Sequence, residues 1–179
     1  MSQVGTVYAQ ALYSLTKEDS CSEDVLKELA VLNESFSEEP KFLNLLSAPN
    51  LSKEERCGIL DESFRGKVHP YVLNFLKILT QKGYMRSFSD CCKAYRKLYN
   101  EDHGILEVFA YTAIALSEEQ KERLSQKLQA VTGKTVDLYN RVDPVCLGGV
   151  RLDYDGKRVD DTVAHRLGSI SALLKNTVL

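Results

Sequence analysis

Histidine is scarce in this chain of 179 residues: three are present, at positions 69, 103 and 165. Little material is therefore available for acid–base or metal chemistry near neutral pH. An excess of either charge is also missing. Lys and Arg total 23 against 25 Asp and Glu, for a formal net charge of -2. Residues 1–104 hold 15 acids and 13 bases and residues 105–179 hold 10 of each, so neither part has the basic footprint of a nucleic-acid binder. An anionic membrane surface is disfavoured as a partner for the same reason. No apolar run approaches the ~20 residues needed to span a bilayer, and no direct membrane insertion is expected. The N-terminus, Met1-Ser2-Gln3-Val4-Gly5-Thr6-Val7, has neither the basic flank of a secretory signal nor the Arg-rich character of a transit peptide.

Cysteine offers no framework either. The five, at 21, 57, 91, 92 and 146, are odd in number and lack any Cys-x-x-Cys or Cys/His spacing suited to zinc. Cys91 and Cys92 are neighbours and face different directions on a helix, so they read as reduced packing residues. The P-loop Gly-Lys-Ser/Thr and the spacing of a dinucleotide fingerprint are absent around Gly148-Gly149. A glycine pair there suits a close backbone approach or a bulge at the start of a strand. Asp160 and Asp161 read as carboxylates at a helix N-terminus rather than as metal ligands. His69 precedes Pro70 and marks an extended entry to a helix, His103 adjoins Gly104, and His165 stands four residues from Asp161 as a surface pair. No catalytic, cofactor-binding or metal residue is expected.

What is there is helix after helix over the first hundred residues. Val4, Val7, Tyr8, Ala11, Leu12 and Leu15 recur on one helical face. Ser20 with Glu23 reads as a capping box for a second helix through Phe36, and Pro40 as the first position of a short third. Ser52 with Glu55 starts a fourth that stops at Gly66. Pro70 opens a fifth, apolar nearly all round, that ends at Gly83, and a sixth runs to about Asn100. Past Gly104 the period changes. Leu106, Val108, Ala110 and Thr112 alternate with Glu107, Phe109 and Tyr111, a strand with both faces partly apolar. Ser117 with Gln120 caps a polar amphipathic helix, and residues 135–141 and 149–154 read as strands. Asp155-Gly156 is a hairpin turn, and a last helix is expected from Thr162 to Lys175. The fold class is thus mostly α: an N-terminal six-helix bundle over residues 1–104, then a small α+β domain over 105–179.

One stretch carries more. Val142-Asp143-Pro144, Leu147-Gly148-Gly149-Val150, Val159-Asp160-Asp161-Thr162 and Arg166-Leu167 together resemble the C-terminal hallmark of the delta subunit of F-type ATP synthase, the oligomycin sensitivity-conferring protein family. Tyr8-Ala9-Gln10-Ala11-Leu12, Asn74-Phe75-Leu76-Lys77-Ile78-Leu79 with Gly83, and Ala113 through Gln120 resemble the family's first helix, its fifth helix and its Leu-Ser step. Three departures stand out: Asp161 where Gly is usual, Thr162 where Ser is usual, and Tyr84 where Arg is common. Asp161 implies that the backbone there needs no positive φ, or that the turn differs slightly.

The resemblance implies a non-catalytic stator part, a peripheral subunit on the cytoplasmic face of the bacterial cell membrane. It implies that residues 1–104 grip the N-terminal helices of the alpha subunits of the catalytic head. Residues 105–179 then engage the b-subunit dimer of the peripheral stalk, with Gly148, Gly149, Asp160 and Thr162 as a structural motif. The groove it implies lies between helices one and five, with Tyr8, Ala11, Leu12 and Leu15 on one and Phe75, Leu76 and Leu79 on the other. The residues alone leave two further readings open. One is an unrelated helical adaptor binding some other amphipathic helix, and the other a thiol-dependent enzyme using Cys91, Cys92 or Cys146.

Overall fold

Proline and glycine punctuate the chain where the helices turn. In the computed structural model, which describes residues 3–47 and 51–167, α1 spans Gln3–Glu18, α2 Ser22–Glu38, α3 Pro40–Leu46, α4 Lys53–Phe64, α5 Pro70–Lys82 and α6 Phe88–Asp102. Pro40 and Pro70 each open a helix, where a missing N–H costs nothing. Gly83 closes α5 at φ 75°, with its own N–H and that of Tyr84 turned back onto the carbonyls of Thr80 and Leu79. Ser52 accepts from the N–H of Glu55 while the Glu55 carboxylate accepts from the N–H of Ser52, a complete capping box.

The start of α2 differs from expectation. Ser20 does not cap it. Its backbone is left-handed, at φ 56°, because it terminates α1, with the N–H of Cys21 returning to the carbonyl of Thr16 at 2.9 Å. Cys21 takes the N-cap position and supplies no side-chain hydrogen bond. One residue cannot both end a helix in the left-handed region and begin the next in the extended one.

The protein divides into two compact units between residues 99 and 100, so α6 crosses the division. It is mostly helical, with a small sheet near the C-terminus. The first unit buries one face of each long helix. Phe36 packs its ring on Phe42, Phe64 and Phe88 at centroid distances of 5.6, 6.1 and 5.1 Å. A polar pin crosses the apolar interior: Thr16 Oγ1 and Tyr95 OH lie 2.6 Å apart, and Tyr95 donates to the carbonyl of Ser22. Burial pushes the Tyr95 hydroxyl pKa up to about 12, so it stays a donor at any physiological pH.

The second unit adds β1 (Ile105–Thr112), α7 (Glu118–Thr132), β2 (Thr135–Val142), β3 (Val150–Tyr154) and β4 (Lys157–Asp160), in the sheet order β2-β1-β3-β4. β1 and β2 are parallel, which requires the crossover that α7 provides, and the other pairs are antiparallel. Asp155 and Gly156, at φ 47° and 72°, make the tight turn between β3 and β4. Leu106, Val108, Ala110 and Leu152 form the core on one side of the sheet, under Leu124 and Leu128 of α7. The chain is helical again over 163–167, and the remainder of the expected last helix lies outside the described residues.

Candidate functional site

α1 has two apolar faces, and only one serves the core. Ala9, Leu12, Tyr13 and Thr16 point inward, whereas Val7 is 61% exposed, Leu15 is 49% exposed and Ala11 lies open between them. Spacing of i, i+4 and i+8 puts these three on one strip. α5, which packs beside α1, buries Val72, Phe75, Leu76 and Leu79 and leaves Ile78 45% exposed. Just past its end Tyr84 stands 40% exposed, its ring 5.9 Å from that of Tyr8.

Of the residues expected at the groove, Tyr8, Ala11 and Leu15 retain surface. Leu12, Phe75, Leu76 and Leu79 are buried in the unit's own core. Periodicity could not separate them, because Leu12 and Leu15 both satisfy the helical rhythm of α1. Val7, Ile78 and Tyr84 are exposed groups of the same region that were not among the residues expected at the groove. α5 is also fixed from the other side: Lys77 pairs with Asp61 of α4 at 2.7 Å, and this bond holds the Asp61 carboxyl below the usual carboxylate range.

The C-terminal motif has a physical basis. Gly149 has φ +76°, and a Cβ built there would lie 3.1 Å from Thr162 Cα and collide outright with the carbonyl oxygen of Asp161. The backbones of 148–150 and 161–163 run against each other, with Asp161 N–H donating to the Val150 carbonyl and Val163 N–H to that of Gly148. Asp160 Oδ1 accepts from the N–H and hydroxyl of Thr162, at 3.0 and 2.7 Å, and Thr162 Oγ1 accepts from the N–H of His165. Those donors, the hydroxyl foremost, hold the Asp160 carboxyl below its ordinary value. Asp161 has no positive φ and pairs with Arg166. Gly148, Gly149, Asp160 and Thr162 thus form a latch rather than a phosphate loop.

The neighbouring thiols Cys91 and Cys92 are tuned away from nucleophilic work. Burial pushes the Cys91 and Cys92 pKa values up to about 11 and about 12. His69 Nδ1 accepts from the N–H of Tyr71 and so caps α5. Among the described residues no group of three or more His, Cys, Asp and Glu could hold a metal ion, and no helix is long and apolar enough to cross a membrane.

Taken together, these features define a two-unit protein with an open apolar strip on one unit and a latched turn on the other. The pattern of the ATP synthase delta (OSCP) subunit matches residues 4–174. A protein of Alkaliphilus oremlandii called ATP synthase subunit delta is 31% identical over 172 residues, covering 96% of both chains. The protein of that name from Clostridioides difficile is 30% identical over 96% of this chain and 95% of its own. A chain in the cryo-EM structure of the Toxoplasma gondii mitochondrial ATP synthase hexamer shares the fold, with a TM-score of 0.77 over 97% of this chain and 98% of that one, at 17% identity. This chain belongs to the ATP synthase delta (OSCP) subunit family.

Proposed function

We propose that this chain is the non-catalytic stator subunit of an F-type ATP synthase, joining the catalytic head to the peripheral stalk so that ion translocation is coupled to ATP synthesis or hydrolysis. Membership of the family over nearly the whole length carries this reading. In finer detail, residues 1–104 act as a six-helix bundle that receives N-terminal helices of the alpha subunits. Residues 105–179 engage the b-subunit dimer, and the assembled subunit lies at the cytoplasmic face of the bacterial cell membrane as a peripheral component.

The observation that supports the head-binding half is the strip of Val7, Ala11 and Leu15 beside Ile78 and Tyr84. A helix laid in such a groove needs apolar anchors at its edges and a small residue where the two backbones approach. Ala11 supplies the small residue, and Val7, Leu15 and Ile78 the edges. Leu12, Phe75, Leu76 and Leu79 serve as the floor that holds both walls in place.

Calorimetric titration of the full chain with a peptide from the N-terminus of the same organism's alpha subunit tests this. Ala11→Asp is expected to weaken binding by at least about a hundredfold, which is about 2.7 kcal/mol. Because Ala11 is exposed, the melting temperature should hardly move. A folded chain that ignores the peptide would count decisively against this groove. The thiol-enzyme reading gains no support from Cys91 and Cys92, since thiols held protonated are the opposite of an activated nucleophile.

A further inference from the structure

Tyr84 follows α5 and yet stands in a prescribed place. Gly83 turns the chain at φ 75°, and the N–H of Tyr84 returns to the Leu79 carbonyl at 2.8 Å. The Tyr84 carbonyl in turn accepts from the N–H of Ser87 at 2.9 Å, and Met85 between them is buried. Backbone on both sides of the ring is thus pinned to the end of α5 and to the core. The ring itself is tilted at 59° against that of Tyr8, 5.9 Å away, and keeps 40% of its surface.

α1 and α5 run antiparallel, since Tyr71 at the start of α5 donates to Asp19 beyond the end of α1, and Tyr84 beyond the end of α5 meets Tyr8. Tyr8 lies three residues before Ala11, so the two are surface neighbours on α1. The aromatic pair therefore walls one end of the exposed strip, next to its small residue. A partly exposed aromatic group that is already held in place loses little freedom on binding, and such groups concentrate binding energy at interfaces. Local chemistry also selects what the ring receives. An aromatic face is electron-rich and disfavours a carboxylate. Lys82 and Arg86, two residues to either side, are exposed and disfavour an incoming cation. Glu54 stands with Lys53 and Lys82 around a cavity between α4 and α5, one acid against two bases. An uncharged, apolar group is what suits the ring.

We propose that Tyr84 is a specificity-determining residue of the head-binding groove: its ring, braced on Tyr8, receives one apolar side chain of the docked alpha-subunit helix and fixes how far along the strip that helix lies. The inference rests on the reading that residues 1–104 receive the alpha-subunit N-termini, and names the residue that sets their register. Ala11 lets a partner helix come close but does not choose between positions one turn apart. A fixed aromatic wall does, because a slip of one turn moves each side chain by about 5.4 Å and carries the apolar group off the ring.

The test is calorimetric titration of the full chain with the alpha-subunit N-terminal peptide of the same enzyme, combined with alanine replacement along the peptide. Tyr84→Ala is expected to weaken binding at least about tenfold, whereas Tyr84→Phe, which keeps the ring, should stay within about twofold. One apolar peptide position should lose at least about tenfold against the parent and less than about twofold against Tyr84→Ala, a coupling that a merely structural role would not produce. If Tyr84→Ala binds as tightly as the parent while Ala11→Asp does not, the proposal is overturned and the groove stands. It is overturned too if no peptide position couples to Tyr84, since the loss is then one of folding, or if the coupled position is charged. If the parent ignores the peptide, the head-binding reading falls and takes the proposal with it.

Discussion

Gly149 shows how little freedom a single position can have. A side chain there must both occupy a left-handed backbone and displace the Asp161 carbonyl. Gly149→Ala is expected to cost about 3 kcal/mol or more, from φ strain and overpacking together, read as a drop in melting temperature. Asp160 is the pH-sensitive partner in the same latch. Its folded pKa lies below the unfolded value, so its contribution is present above the ordinary aspartate pKa and is lost as pH falls through the lowered one. Melting curves from about pH 6 to about pH 3 should therefore decline less for Asp160→Asn than for the parent, from a lower starting stability. The glycine pair was legible in the sequence as a close backbone approach. The partner backbone was not, because nothing local in 148–149 specifies that 161–163 will lie against it.

At the scale of the element, termini governed by covalent geometry or a side-chain cap were readable. Pro40, Pro70, Gly83 and the boxes at Ser52 and Ser117 all stand where local chemistry requires. Ser52→Ala should lower stability by about 1 kcal/mol, measurable by urea denaturation with an unchanged m-value. The start of α2 was misread because Ser20 satisfies two local rules, cap and terminator, and the short connection to α1 decides between them. The groove was legible only in part. Periodicity finds apolar residues on α1 but cannot say that Leu12 faces the core and Leu15 faces outward, since that depends on where α5 packs. β1 carried a fairer warning. Phe109 and Tyr111 alternate with the buried residues, so two partly apolar faces were visible before any strand partner was known.

For the whole molecule, the reading proposed above has the two units divide the work. Deleting residues 105–179 should leave the alpha-subunit peptide affinity of a folded 1–104 fragment within about threefold of the full chain while abolishing stalk binding. Circular dichroism would verify the fold and calorimetry the affinity. The pairing order β2-β1-β3-β4 could not be read from sequence, because each pairing is a choice among distant segments rather than a local preference.

That order also sets a timetable. The helices of the first unit form through backbone bonds to residues three or four positions away, whereas β1 must wait for α7 and the whole of β2 before its parallel edge is satisfied. Refolding should thus be staggered, the helical unit forming first and the sheet last. During synthesis, with the N-terminal end emerging ahead, this chain would present a finished helical unit while its sheet was still one strand short.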